Sequence, residues 1–146
     1  MDEVWLCSIG DAGEEFDIHP KDKYIPGHRL ALLALHHLYG QDTLADAPRC
    51  TRAVATDKGI CLAFENAGEG LAIRGECINS LEVRAGDGQS LPYKASTQSD
   101  KLVIGLAEIP DDGVEISFAQ DKWHIINLMN SANIPALPFA CTVVRS

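Results

Sequence analysis

Apolar and polar positions alternate with three different textures along the chain. Val4 to Ile9 (VWLCSI) is a short apolar run ended by Gly10, and its length and Gly stop fit a buried strand better than a helix. Asp11 to Asp22 (DAGEEFDIHPKD) is polar, carries Gly13 and Pro20, and is predicted to be a loop. From Tyr24 to Tyr39 the sequence YIPGHRLALLALHHLY is dense in Leu and Ala. There Ile25, Leu32, Leu35 and Tyr39 form an apolar stripe at helical spacing, widened by Ala31, Ala34 and Leu38. Asp22 is placed to cap the helix, Pro26 fits its first turn, and Gly40 is a natural stop.

Beyond Gly40 the period changes. Gln41 to Pro48 (QDTLADAP) has linker character. Short strand patterns follow at Arg52–Thr56, Ile60–Glu65, Ser80–Ala85, Leu91–Ala95, Lys101–Ile104, Val114–Phe118 and Phe139–Val144. Turn signals separate several of them, at Asp57-Lys58-Gly59, Asn66-Ala67-Gly68, Gly86-Asp87-Gly88, Ser99-Asp100 and Pro110 to Gly113. Strands spaced about ten residues apart without intervening helices predict a β-sandwich. The expected fold is therefore α+β: a terminal βα unit over residues 1–47, then an all-β, immunoglobulin-like sandwich over 48–146. In an open α/β sheet, the loop that follows a strand lies where ligands and catalytic groups gather. A lone βα unit cannot bury both of its apolar faces, so the chain is expected to be part of something larger.

The 146 residues are 46% apolar and 23% charged, ordinary for a folded protein. A formal charge of −9 gives no basic stripe for phosphates or anionic lipid headgroups, so neither nucleic acid nor membrane is an expected partner. No apolar run reaches the roughly 18–20 residues that span a bilayer, and no signal segment follows Met1, so a soluble chain is expected. The five cysteines (Cys7, Cys50, Cys61, Cys77, Cys141) form no Cys-x-x-Cys pair. They are expected as small buried hydrophobes rather than a zinc or redox motif, with one disulfide among them left open.

Asp17-Ile18-His19-Pro20-Lys21 resembles the last sequence block of the SGNH hydrolases, an Asp–His pair followed by Pro. The fuller run from Ile9 to Gly40 is similar to the corresponding block of sialate O-acetylesterases, including Gly27-His28-Arg29-Leu30-Ala31 and the closing Tyr39-Gly40. Asn127-Leu128-Met129-Asn130 and Ile134-Pro135-Ala136-Leu137-Pro138-Phe139 resemble that family's closing motifs, and Val83 to Gly88 its Ala-Gly-x-Asp-Gly hairpin.

This resemblance implies an esterase that removes O-acetyl groups from sialic acid or a related sugar by Ser-His-Asp chemistry, with no cofactor and no metal. The residue types suit the task. An ester-cleaving hydroxyl needs a neighbouring base, and imidazole titrates near neutral pH. An acid on its other nitrogen fixes the tautomer and stabilises the imidazolium. By resemblance, His19 is the base and Asp17, two residues before it, the acid. Many SGNH enzymes place the acid three before, which here is Phe16. Asp11, Glu14, Glu15 and a backbone carbonyl therefore stay open as orienting groups. An isolated His in a polar loop is more commonly just solvated, and Asp17 can equally cap the loop by accepting a backbone N–H.

His28, His36, His37 and His124 carry no motif; His36 and His37 are adjacent, so helical geometry predicts they diverge by about 100° and form no metal pair. The family's serine and oxyanion blocks are missing from this sequence, so the isolated chain is expected to be inactive. Its expected partners are the acetylated sugar, the N-terminal part of the same hydrolase, and a second copy through residues 4–39. The parent's compartment stays open between secreted, periplasmic and lysosomal. A different class of reading treats the sandwich as a carbohydrate-binding or structural module, with Tyr93 and Trp123 as the aromatic candidates after the linker.

Overall fold

A computed structural model describes residues 4–17, 19, 21–120, 123 and 125–144. The described residues are mostly β, with one helix near the start. Helix α1 runs Tyr24–Leu33 and continues as a π-helical turn over Ala34–Leu38. Its start lies at Lys23, while the Asp22 carboxylate accepts the Tyr24 N–H at 2.8 Å and satisfies one free donor of the first turn. Gly40 stops the helix as expected, at φ 66°, a backbone region a side chain enters only with strain. Its N–H and that of Gln41 bond back to His36 and Leu35. The buried side of the helix is Arg29 and Leu33, with Ile25, Leu32 and Leu35 half-buried; Leu38 and Tyr39 of the expected stripe are exposed.

The first apolar run does not form the expected strand. Residues 4–9 join no β-ladder. A strand needs a hydrogen-bonding neighbour, and none of the described β-strands lies beside this segment. It is held instead by Arg29, described below, and by Gly10, whose carbonyl accepts the Ile126 N–H at 2.8 Å. A Cβ at position 10 would lie 2.4 Å from Ile126 Cδ1, so a side chain there would push the end of Ile126 aside.

Among the described residues nine strands follow: β1 (Arg49–Thr56), β2 (Gly59–Glu65), β3 (Ala72–Ile73), β4 (Leu81–Ala85), β5 (Lys94–Gln98), β6 (Lys101–Gly105), β7 (Val114–Phe118), β8 (Leu128–Met129) and β9 (Phe139–Val143). A four-stranded sheet has the order β1-β2-β6-β5 and a three-stranded sheet the order β4-β7-β9; β3 and β8 form a small ribbon. All pairings are antiparallel. The two larger sheets turn alternate residues into one core: Ile60, Leu62, Leu102 and Ile104 from the first, Val83, Val114, Ile116 and Phe118 from the second.

Two differences from the expected strands have physical causes. β1 starts at Arg49 rather than Arg52, because a register shift between Cys50 and Arg52 breaks the alternation that marks a strand. β5 begins three residues later than the Leu91 pattern suggests. Gln89 and Leu91 still bond to β4, at Ala85 and Val83, and Pro92, lacking an N–H, marks the crossing to the other sheet.

All five cysteines are free thiols. Four are partly buried and Cys77 is exposed, so burial is less complete than expected. Burial pushes the Cys50 thiol up to about 11, and the nearby Cys141 adds to the rise. Less thiolate at a given pH means slower alkylation. Iodoacetamide at pH 8 should therefore modify Cys50 about a hundredfold more slowly than a thiol of ordinary pKa, with the rate climbing as the pH is raised toward 11. Peptide mass mapping checks this; a Cys50 modified as fast as Cys77 contradicts it.

Candidate functional site

The loop between Gly10 and the helix is positioned by one buried cation. Arg29, 7% exposed, sits one helical turn before Leu33 on the buried side of α1. Its guanidinium grips the Asp11 carboxylate with both forks, at 2.5 and 2.8 Å, and the two side chains are only 8% and 10% exposed. The same group donates to the Ser8 carbonyl at 3.0 Å and the Asn133 carbonyl at 2.9 Å. One side chain thus joins the first segment, the loop and the closing region of the chain. Bidentate, charge-assisted pairs of this kind fix orientation as well as distance. Asp11, considered above as an orienting partner for His19, is therefore committed to Arg29.

Beyond Asp11 the loop is open to solvent. Residues 13–16 are exposed, with Phe16 94% exposed, and Lys21 pairs with Glu14 at 3.2 Å. Asp17 Oδ1 accepts the backbone N–H of His19 at 2.8 Å, a local turn typical of Asp. The His19 ring stands nearby, with Nδ1 3.7 Å from the same oxygen, beyond hydrogen-bond reach. His19 is 82% exposed and Asp17 41%. The structure thus brings the two predicted residues to one loop face as neighbours, with the carboxylate bonded to backbone rather than to imidazole. Ile18 and Pro20 of the same motif, and His124, lie outside the described residues.

The closing Asn residues serve the backbone. Asn127 donates to the carbonyls of Arg74 and Cys77, both at 2.8 Å, and accepts from the Asn79 N–H. Asn130, 2% exposed, donates to Asp46 and Asn66 and accepts from Ala132 and Ile134. These bonds satisfy buried polar atoms and pin the loops flanking β8. Of the two aromatic candidates for sugar stacking, Tyr93 is half-buried with its hydroxyl on the Leu81 carbonyl at 2.7 Å. Trp123 is 43% exposed.

Two features escaped the sequence pattern. Arg29 follows Ile25 and precedes Leu33 at four-residue spacing, so a cation stands on the buried stripe; that spacing was the available signal. The second is the meeting of His36 and His37. The π-helical turn sets their rings edge to face with centroids 4.6 Å apart, contrary to the divergence predicted for a regular helix. His37 also pairs with Asp46 at 3.0 Å.

No protein-family model matches the chain, and neither does any curated protein. Among solved structures, the fold is similar to that of a carbohydrate acetylesterase from Xanthomonas citri. The TM-score is 0.72 with 29% sequence identity, covering 90% of this chain and 31% of that one. The chain therefore spans less than a third of the length of the enzyme it resembles, and the likeness supports a carbohydrate esterase relationship.

Proposed function

We propose that this chain is the C-terminal part of a carbohydrate esterase resembling the sialate O-acetylesterases, removing O-acetyl groups from sialic acid or a related sugar. The observation that carries this reading is the likeness to a carbohydrate acetylesterase across 90% of the chain. Residues 1–47 are then the closing piece of an SGNH-type α/β domain, and 48–146 the domain that follows. An immunoglobulin-like assignment for the second part is supported by the strand order. Two sheets ordered β1-β2-β6-β5 and β4-β7-β9 match the four-plus-three arrangement of constant-type domains.

In this reading His19 is the general base and Asp17 its acidic partner. The loop is poised for the task. A swing of less than 1 Å brings Nδ1, at 3.7 Å, to hydrogen-bond distance from Asp17, a tightening common when a site is completed. With the carboxylate on Nδ1, Nε2 takes the serine proton on attack and returns it to the departing sugar hydroxyl. The serine and the oxyanion donors belong to the N-terminal part of the hydrolase, the partner this chain requires.

The surface supports such a partner. Of eleven large apolar side chains exposed among the described residues, eight fall within residues 4–39, including Val4, Leu6, Phe16, Leu30, Leu38 and Tyr39. Burying one such side chain is worth roughly 1.5–3 kcal/mol. Docked against the rest of an α/β domain, residues 4–9 gain the strand neighbours they lack here. In the isolated chain the same segment is expected to pair two copies. Sedimentation at low micromolar concentration should show a dimer that Leu6→Ser with Leu38→Ser returns to monomer; a compact wild-type monomer would contradict this.

The functional test is an acetate-release assay on O-acetylated sialic acid and acetylated xylosides. The protein produced together with its N-terminal hydrolase part should turn over, whereas the isolated chain should hydrolyse 4-nitrophenyl acetate no faster than free imidazole. Saturable turnover by the isolated chain, abolished in His19→Ala, would refute the requirement for a partner.

A further inference from the structure

We propose that His36, His37 and Asp46 form a binding site for a divalent transition-metal ion of the zinc class, clamping the end of α1 to the segment that leads into β1. Each of the three offers one ligand atom, and these atoms all lie within 4.8 Å of one another. His37 Nε2 lies 3.0 Å from Asp46. Two ligands held about 2.1 Å from a common ion stand about 3–3.5 Å apart, so this pair already has the spacing a metal imposes. His36 completes the set within the same 4.8 Å.

The surroundings suit ligation. His36 Nδ1 faces the Gln41 carbonyl at 3.1 Å. Donation there leaves Nε2 with its lone pair, the neutral tautomer a metal takes, and is the outer contact that orients ligating histidines. The His37 ring is held by Trp5, stacked at 4.6 Å with an interplanar angle of 11°. His37 and Asp46 are 21% and 30% exposed, partly desolvated yet open to an entering ion and a remaining water ligand. Two imidazoles and one carboxylate favour Zn²⁺, Cu²⁺ or Ni²⁺ over Ca²⁺ or Mg²⁺, which prefer all-oxygen shells. The net charge of −9 draws cations toward the surface.

The site is independent of the esterase reading, and its test uses binding alone. Titrating the 146-residue chain with ZnCl₂ at pH 7.5 by calorimetry should give one Zn²⁺ per chain with micromolar affinity, weakening on acidification as the imidazoles protonate. His37→Ala should lower the affinity at least tenfold. Asp46→Asn, which keeps a hydrogen-bonding group facing His37 and so preserves the fold, should do the same. X-ray absorption should report a nitrogen and oxygen shell without sulfur. Zn²⁺ held by cysteine sulfur, affinity unchanged in both variants, or no saturation below about 1 mM would each overturn the proposal.

Discussion

Asp11→Asn is expected to release the N-terminal segment from the β-sheets while leaving the sheets folded. The change removes a negative charge from a pair in which both side chains are about nine-tenths buried. Losing one member of a buried ion pair costs about 3–5 kcal/mol, because the remaining charge stays desolvated without its counter-charge. Arg29 would retain the Ser8 and Asn133 carbonyls, which offset part of the loss. Arg29 to the Asn133 carbonyl, Gly10 to Ile126 and His37 to Asp46 tie residues 4–40 to the rest of the chain, and Asp11 orients Arg29 for the first of these, so the cost falls on local docking rather than global unfolding. Hydrogen exchange reads it directly: amides of α1 should exchange roughly 10²–10³-fold faster, while β2, β6 and β7 keep their protection. High salt should do little to the wild type, since a buried pair is poorly screened. Pairing Asp11→Leu with Arg29→Met should recover much of the loss, because apolar groups leave no buried charge unmatched. Unchanged helix protection in Asp11→Asn would show that the pair does not hold the segment.

The β-rich character was legible because most of its strands alternate cleanly. Ile60, Leu62 and Phe64, or Val114, Ile116 and Phe118, point inward with polar residues between them, and glycines or Asp mark several turns. The helix was legible from its Leu and Ala density and from Gly40. The two-residue strands β3 and β8 were not, since two residues carry no period. Val4–Ile9 has the composition of a strand, but composition does not supply a ladder partner. At the site, the motif brought out His19 and Asp17, whereas Arg29 with Asp11 and His36 with His37 and Asp46 depend on contacts between separate segments. The π-helical turn in particular leaves no mark in composition, so the neighbouring histidines looked divergent.

The second large effect belongs to His19. It is 82% exposed, so removing its ring should cost the fold almost nothing. In the proposed esterase, its removal would take away both the base assigned to activate serine and the acid assigned to protonate the leaving group. Losing the triad histidine in serine hydrolases lowers kcat by about 10⁴–10⁶-fold. Asp17→Asn should cost less than His19→Ala, because the base itself survives. The most direct measurement is therefore acetate release from an O-acetylated sugar by the complete protein, wild type against His19→Ala. A fall of at least about 10⁴-fold in kcat, with the melting temperature unchanged, is the predicted result. A His19→Ala enzyme that turns over within about tenfold of wild type would contradict the assignment.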